Sequence, residues 1–202
     1  MKRIIAVLMA AMLIFSFAAC GKNNDKDDST TTTAAPEVEA VAPLDLLSTV
    51  WASYTAEDPN FFPAAGGDML TEETTNWEGP AAFGLEGDAA MALESMLHFP
   101  TASVSKIDAA ASLMHAMNAN TFTCGAFSVV NADDVDALVA EIKTTIDSTQ
   151  WMCGFPEKVL IAKVGTTIVA AVGNAQLIDD FNTKLAAAYD TTTVVINEAI
   201  VA

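Results

Sequence analysis

The chain has 202 residues and a formal net charge of −17, with 26 Asp and Glu side chains against nine Lys and Arg. So strong an excess of negative charge repels the phosphate backbone of nucleic acids and the head groups of anionic lipids. The composition therefore excludes a nucleic-acid partner.

The first twenty residues have the form of an export signal. Lys2 and Arg3 precede an apolar run over residues 4–15, and small residues then lead to Cys20. A short basic segment, an apolar core and a small-residue cleavage site are the parts of a secretory signal. The apolar stretch is shorter than the ~20 residues that a transmembrane helix needs. We therefore predict a signal peptide over residues 1–19.

Phe17-Ala18-Ala19-Cys20 resembles the lipobox of bacterial lipoprotein signals, in which the cysteine receives diacylglycerol before the signal is cut. Phe17 departs from that pattern, which usually has leucine there. The resemblance implies that Cys20 becomes the acylated first residue of the mature chain. Two or more acyl chains hold a protein stably on a membrane, so the anchor would be permanent. The alternative is an ordinary cleaved signal with an incidental cysteine.

Residues 20–42 are predicted to be a disordered tether. They contain no aromatic residue and no amphipathic period, so they cannot bury enough apolar surface to fold. A flexible coil of this length spans about 25–30 Å. We expect residues 43–202 to form a single α+β domain. Its helical or irregular part covers residues 43–117, and its sheet-and-helix core covers residues 118–202.

The first part of this domain is predicted to be helices around an irregular segment. Apolar residues recur at helical spacing over 44–56, and residues 88–98 and 106–114 also have a helical pattern. Residues 57–87 are rich in Pro and Gly and carry four aromatic residues that are candidates for a ligand surface: Phe61, Phe62, Trp77 and Phe83. With Trp51, these could line a groove for a sugar or a peptide. They could equally pack the segment onto the core, which is the alternative we favour.

The second part begins with a strand and a helix and continues into a hairpin. Residues 122–130 are rich in β-formers and end at Asn131, a good helix N-cap. A helical period of apolar residues follows over 133–147. The apolar runs 158–164 and 167–172 are separated by a Gly-Thr pair that suits a tight turn.

A second helical period starts after Asn174, and an extended run covers residues 191–196. The order is strand, helix, strand, strand, helix, strand. This order predicts a ferredoxin-like split β-α-β-β-α-β arrangement, an antiparallel sheet with both helices on one face, preceded by helical N-terminal segments.

The order and spacing of several short segments resemble an uncharacterised family of bacterial lipoproteins known only as a domain of unknown function. The similarity covers residues 107–189 and lies in residues 114–120, Ala132-Asp133-Asp134-Val135, Trp151-Met152-Cys153, Glu157-Lys158-Val159 and the Gly165 turn. The resemblance implies an envelope location and an α+β fold. It brings no known activity and no catalytic residues.

Cys124 and Cys153 are the only thiols left once Cys20 is acylated. Outside the cytoplasm a disulfide between them is permitted. The alternative, which we favour, is two buried thiols that act as small apolar side chains. The pair has no Cys-x-x-Cys spacing, so it predicts neither a redox nor a zinc motif.

The remaining chemistry-bearing residues form no motif. His98 and His115 each stand alone among apolar neighbours, which is more typical of a hydrogen-bonded core histidine than of a metal ligand. Ser103 and Lys106 match the Ser-x-x-Lys of penicillin-binding enzymes, but the chain lacks the accompanying Ser-Asp-Asn and Lys-Thr-Gly elements. We therefore predict no catalytic residue, no metal site and no cofactor.

Together these observations favour a lipoprotein anchored at the extracytoplasmic face of the cell membrane through acylated Cys20. We expect it to be a non-enzymatic binding or interaction module of the envelope, with an unidentified protein or small ligand as partner. The alternatives are an envelope hydrolase or thiol-dependent enzyme using Cys153 or an unrecognised carboxylate pair, and a purely structural component. An enzyme should have a cleft with a titratable group of shifted pKa, whereas a binding module should expose an apolar or aromatic patch.

Overall fold

The fold is built on an eight-stranded antiparallel sheet, in a computed structural model that describes residues 40–152 and 154–200. The strands are β1 (Ala64–Gly67), β2 (Thr75–Asn76), β3 (Ala81–Phe83), β4 (Ile107–His115), β5 (Phe122–Val129), β6 (Lys158–Val164), β7 (Thr167–Gly173) and β8 (Thr193–Ala199). Their order is β2-β1-β4-β5-β7-β6-β8, and β3 pairs with β4. The α-helices of the described ranges are α1 (Pro43–Trp51), α2 (Gly87–Leu97), α3 (Val135–Ser148) and α4 (Ala175–Ala188).

Helices cover both faces of the sheet. α2 and α3 pack on one side, which we name the α2/α3 face, and α1 and α4 pack on the other, the α1/α4 face. Successive residues of a strand point to opposite faces. In β5, Phe127 therefore joins the core under α2 and α3, whereas Phe122 and Cys124 join the core under α1 and α4. Every residue of β5 is buried, as expected for a strand covered on both faces.

The predicted elements of the second part are confirmed. The Asn131 side chain accepts a hydrogen bond from the Asp133 N–H ahead of α3, and Asn174 caps α4 in the same way through the Gln176 N–H. The hairpin joins β6 to β7 with Val164 opposite Thr167. Gly165 in its turn has a φ of 63°, which glycine adopts without steric cost.

The α+β class and the antiparallel sheet are confirmed, but the ferredoxin-like order is not. The sheet is larger than that fold, because β4 pairs with the outer edge of β5 and carries the three short strands beyond it. The expectation that both helices share one face is wrong. The apolar stripe of α3 packs in the core that contains Phe127, and that of α4 packs in the core that contains Phe122.

The helix predicted over 106–114 is also wrong, because this segment is β4. Its alanines have high helix propensity. However, β4 is paired with β5 on one edge and with β1 and β3 on the other, so pairing on both sides outweighs the local preference. Ala110 and Ala111 are both buried, on opposite faces of the strand.

The outer edge of β4 is shared by two short strands. β1 pairs with Met114 and His115, and β3 pairs with the three residues from Ala110 to Ser112. The buried Ser112 hydroxyl links β4 to the end of β1: it accepts from the Gly67 N–H at 2.8 Å and donates to the Gly67 carbonyl at 3.0 Å. The segment predicted to be irregular thus holds three strands, and the helices predicted on either side of it are confirmed as α1 and α2.

The chain enters the domain at the start of β7, where the Thr167 hydroxyl donates to the Val41 carbonyl at 2.6 Å. The predicted signal peptide, Cys20 and the predicted tether up to residue 39 lie outside the described residues. Between residues 40 and 200, leaving out 153, no helix combines the length and apolarity that crossing a membrane requires.

Candidate functional site

A cleft of about 220 Å³ opens at one end of the sheet on the α2/α3 face; we name it the His98 cleft. Its floor is formed by Met114, Thr123 and Val172, which are paired neighbours on β4, β5 and β7. Because adjacent strands lie about 4.8 Å apart, these three side chains span about 10 Å. One wall is the C-terminal end of α2, and the other is the segment that follows α3.

His98 is held at this position by the way α2 ends. It has a left-handed backbone conformation with a φ of 57°, which is uncommon for a residue with a side chain. Its N–H donates back to the Glu94 carbonyl, and the following Phe99 N–H donates to the Leu93 carbonyl. Phe99 is buried against Phe127, with ring centroids 4.7 Å apart, and this contact anchors the chain behind His98. His98 is consequently 7% exposed.

The hydrogen bonds around His98 define its tautomer. The Thr149 hydroxyl donates to the Thr145 carbonyl at 2.9 Å, so its oxygen is left to accept from His98 Nδ1 at 3.3 Å. This bonding pattern assigns the hydrogen to Nδ1 and the lone pair to Nε2. Nε2 makes no hydrogen bond to the described residues and is not one of their fully buried unpartnered atoms, so it borders the open cleft. Burial lowers the pKa of His98 to about 4, so the ring is uncharged at neutral pH.

The other walls of the His98 cleft are apolar and rich in sulfur. Met96, Met114 and Met152 line it, and the Trp151 ring lies edge-on to the imidazole with centroids 5.0 Å apart. Asn120 fixes the rim, because its amide donates to the Met152 carbonyl at 2.8 Å and to the Gly154 carbonyl at 3.1 Å. The described lining residues include no Asp, Glu, Lys or Arg.

A more polar depression of about 480 Å³ adjoins the cleft and shares Ser95, His98 and Thr149 with it. Glu94 lies in this depression and accepts from the N–H and the hydroxyl of Thr101, at 3.2 and 2.9 Å. These two hydrogen bonds lower the pKa of the Glu94 carboxyl. His98 thus separates an uncharged cleft from an anionic one.

His115, the second histidine, makes hydrogen bonds and a stacking contact within the structure and does not line the His98 cleft. Its Nδ1 accepts from the N–H groups of Met117 and Asn118 at 3.1 and 3.3 Å, and its ring stacks on Phe62 with centroids 5.7 Å apart. Both contacts shape the turn after β4. His115 and His98 are not brought together at one site.

The four aromatic residues predicted as a speculative ligand surface do not form one surface. Phe62 and Phe83 are buried in the cores on opposite faces of the sheet. Phe61 is 45% exposed and stacks on Trp51 with centroids 5.5 Å apart, and Trp77 is 64% exposed. Half of the set therefore packs the irregular segment onto the core, which is the alternative that we favoured.

Ser103 and Lys106 are linked by hydrogen bonds to the same carboxylate, that of Glu141. The Ser103 hydroxyl donates to one oxygen of this carboxylate at 2.5 Å, and Lys106 Nζ donates to the other at 3.1 Å. These two hydrogen bonds lower the pKa of Glu141, and the bond from Ser103 has the larger effect. They also connect the turn before β4 to α3. The arrangement is a structural link, because the serine hydroxyl is directed to the carboxylate.

The cysteine predictions remain predictions. Cys124 is fully buried on β5, and burial raises the pKa of its thiol well above the ordinary value. Cys20 and Cys153 lie outside the described residues, so neither the lipidation nor the disulfide is tested. A buried thiol of raised pKa is a poor nucleophile.

Comparisons of the chain with protein-family models, with curated proteins and with solved structures found no match. The resemblance to a lipoprotein family therefore stays a prediction. In the part of the chain that the structure describes, no group of three or more His, Cys, Asp and Glu side chains could hold a metal ion. The His98 cleft was missed by sequence reasoning because its residues come from five separate segments with no common spacing.

Proposed function

We propose that the protein is a lipoprotein anchored through Cys20 at the extracytoplasmic face of the membrane. Its folded part is a non-enzymatic binding module, and the His98 cleft is its ligand site. One observation supports the binding role above all: a neutral imidazole presents a lone pair without a protein partner in an uncharged cleft. Nε2 is not among the fully buried atoms that lack a partner; it borders the open cleft, where a ligand atom can pair with it.

The size of the cleft favours a small ligand. Its volume of about 220 Å³ lies below the range of roughly 300–1,000 Å³ that is typical of drug-sized ligands. The walls offer thioether and indole surface, and Nε2 offers an acceptor. A ligand that fits this description is either a compact apolar molecule with one hydrogen-bond donor or a soft cation.

His98 meets the expectation stated for an enzyme, a cleft group with a shifted pKa, so the direction of that shift matters. A general base works best when its pKa is near the operating pH, whereas burial holds His98 near 4. The neighbouring Thr149 hydroxyl gives its hydrogen to Thr145 and is not activated by the imidazole. Both features favour binding over catalysis. The thiol-enzyme alternative depends on Cys153, outside the described residues.

The anchor is tested by metabolic labelling with palmitate. We expect a Cys20→Ala variant to incorporate no label, because the acyl chains need the Cys20 sulfur. A Cys153→Ser variant is the matched control and should be labelled like the wild type. Undiminished labelling of Cys20→Ala would rule out the anchor.

The ligand site is tested with fluorinated phenols and anilines, whose rings suit the apolar walls and whose O–H or N–H can donate to Nε2. Binding is measured by fluorine NMR of the fragments. An Ala119→Trp substitution at the rim should weaken binding about tenfold, equivalent to ~1.4 kcal/mol. Ala187→Trp, on the exposed side of α4, should leave binding unchanged. Equal binding by the two variants, or no binding by the wild type, would contradict the assignment of the cleft.

A further inference from the structure

We propose that the His98 cleft binds a soft monovalent metal ion, copper(I), through the thioethers of Met96, Met114 and Met152 and through Nε2 of His98. This inference rests on the proposed function, because it names the ligand class of the same cleft. It goes beyond the sequence, in which these four residues have no metal-binding spacing.

The donor atoms of the cleft are soft. Thioethers select copper(I), imidazole accommodates copper, and carboxylates and carbonyls suit magnesium, calcium and manganese instead. No carboxylate is found among the described residues of the lining. Six methionines follow the predicted signal peptide, and three of them line this one cleft. The three thioethers and the His98 imidazole that line this cleft together identify the class of ion.

His98 is prepared to act as a ligand. A metal-binding histidine normally donates its other ring N–H to an acceptor, which fixes the tautomer and the ring orientation. Here Nδ1 donates to the Thr149 oxygen, and that hydroxyl is itself fixed by the Thr145 carbonyl at the end of α3. With Nδ1 engaged by Thr149, Nε2 is the ring nitrogen that is left to bind an ion in the cleft.

The charge of the site favours a monovalent ion. The described lining offers no anionic ligand, and bringing a divalent ion into an uncharged cleft would carry a large desolvation cost. A single positive charge costs less and is attracted by the acidic surface of the chain. Thioethers also cannot form disulfides, an advantage in the oxidising compartment of the proposed location.

The test uses the full chain, purified from membranes in detergent and labelled with carbon-13 at the methionine methyl groups. Silver(I) serves as the redox-stable probe, and copper(I) is then titrated without oxygen. A Cys153→Ser background prevents the thiol from binding silver. We expect one ion per chain, with NMR shifts of the Met96, Met114 and Met152 methyl groups and of the His98 ring nitrogens. Met117 and His115 should not respond.

Matched variants locate the ion. Met152→Leu and His98→Gln should each weaken silver binding at least about tenfold, as expected for the loss of a ligand. Met117→Leu and His115→Gln are the controls and should bind like the parent. Met152 and Met117 are 76% and 81% exposed, so neither leucine substitution threatens folding. Silver binding that is absent, or equally strong in Met152→Leu and Met117→Leu, would overturn the proposal.

The outcome also separates this inference from the proposed function. If silver fails to bind while the fluorinated fragments still depend on Ala119, the metal is rejected and the binding module stands. If silver binds as expected while palmitate labelling does not depend on Cys20, the metal site stands and the anchor is rejected.

Discussion

A Gly66→Ala variant is expected to lose about 3 kcal/mol of its free energy of unfolding, at the upper end of what overpacking costs. A Cβ at this position would lie 2.3 Å from the Ala81 nitrogen, 2.6 Å from the Ser112 oxygen and 2.7 Å from the Gly79 oxygen. All three are backbone atoms and cannot rotate away. To admit the methyl group, β1 would have to separate from both β3 and β4, which would break the hydrogen bonds between Ser112 and Gly67.

This loss is measured by urea unfolding followed by circular dichroism, with Gly87→Ala as the matched control. Gly87 has a φ of 58°, but a Cβ there would meet nothing within 4 Å. Its substitution should therefore cost only the backbone penalty of a left-handed residue, about 1 kcal/mol. Equal losses in the two variants would mean that the strands do not approach as closely as described.

Lowering the pH from 6.5 to 4 is expected to remove about 3 kcal/mol of stability through His98 alone. The pKa of His98 is 6.5 in the unfolded chain and about 4 in the fold, because burial disfavours the charged ring. Between these values the unfolded chain takes up the proton and the folded chain does not. Stability therefore falls as the pH falls through this window, and the pH dependence due to His98 disappears about one unit above pH 6.5.

The measurement is the free energy of unfolding in urea at pH 7, 6 and 5, for the wild type and for His98→Gln. The wild type should lose stability over this range and the variant should lose much less. Glu94 and Glu141, whose pKa values are lowered by hydrogen bonds, lose their own contributions only as the pH falls below the ordinary value near 4.5. A His115→Gln variant controls for the loss of an imidazole elsewhere. The same slope in wild type and His98→Gln would contradict the burial of the neutral ring.

Much of the second half of the fold could be predicted because its signals are local. Asn131 and Asn174 cap their helices from two residues away, and Gly165 forms its turn alone. The face on which each helix packs is not a local property. A helix shows one apolar stripe whichever side of the sheet it covers. The unbroken apolar run of β5 did carry the missing information, since a strand of this kind is buried on both faces.

The first half of the fold could not be predicted in the same way, because its strands depend on distant partners. β4 is an alanine-rich segment whose extended form is imposed by neighbours on both edges. β1 is joined to it by Ser112 and Gly67, which are 45 residues apart. Propensity scales describe the preference of each residue for a local structure, so they do not register contacts between residues this far apart in the sequence.

The candidate site was beyond sequence reasoning for a related reason. His98 alone among apolar residues is typical of a core histidine, and in part it is one, since it is buried and hydrogen-bonded to Thr149. What distinguishes it is the lone pair left on Nε2 and the sulfur atoms around it. Met96, Met114 and Met152 line the same cleft as His98 and come from a helix, a strand and a loop. Their proximity is set by the left-handed end of α2 and by the pairing of β4 with β5.

The position of Val41 on Thr167 has a consequence for how the cleft can be reached. Thr167 begins β7, and Val172, near its other end, lies in the floor of the His98 cleft, so the strand separates the two by about 17 Å. Under the proposed anchoring, the domain itself acts as a spacer beyond the tether. The point at which the chain enters the domain and the His98 cleft therefore lie at opposite ends of β7, about 17 Å apart along the strand.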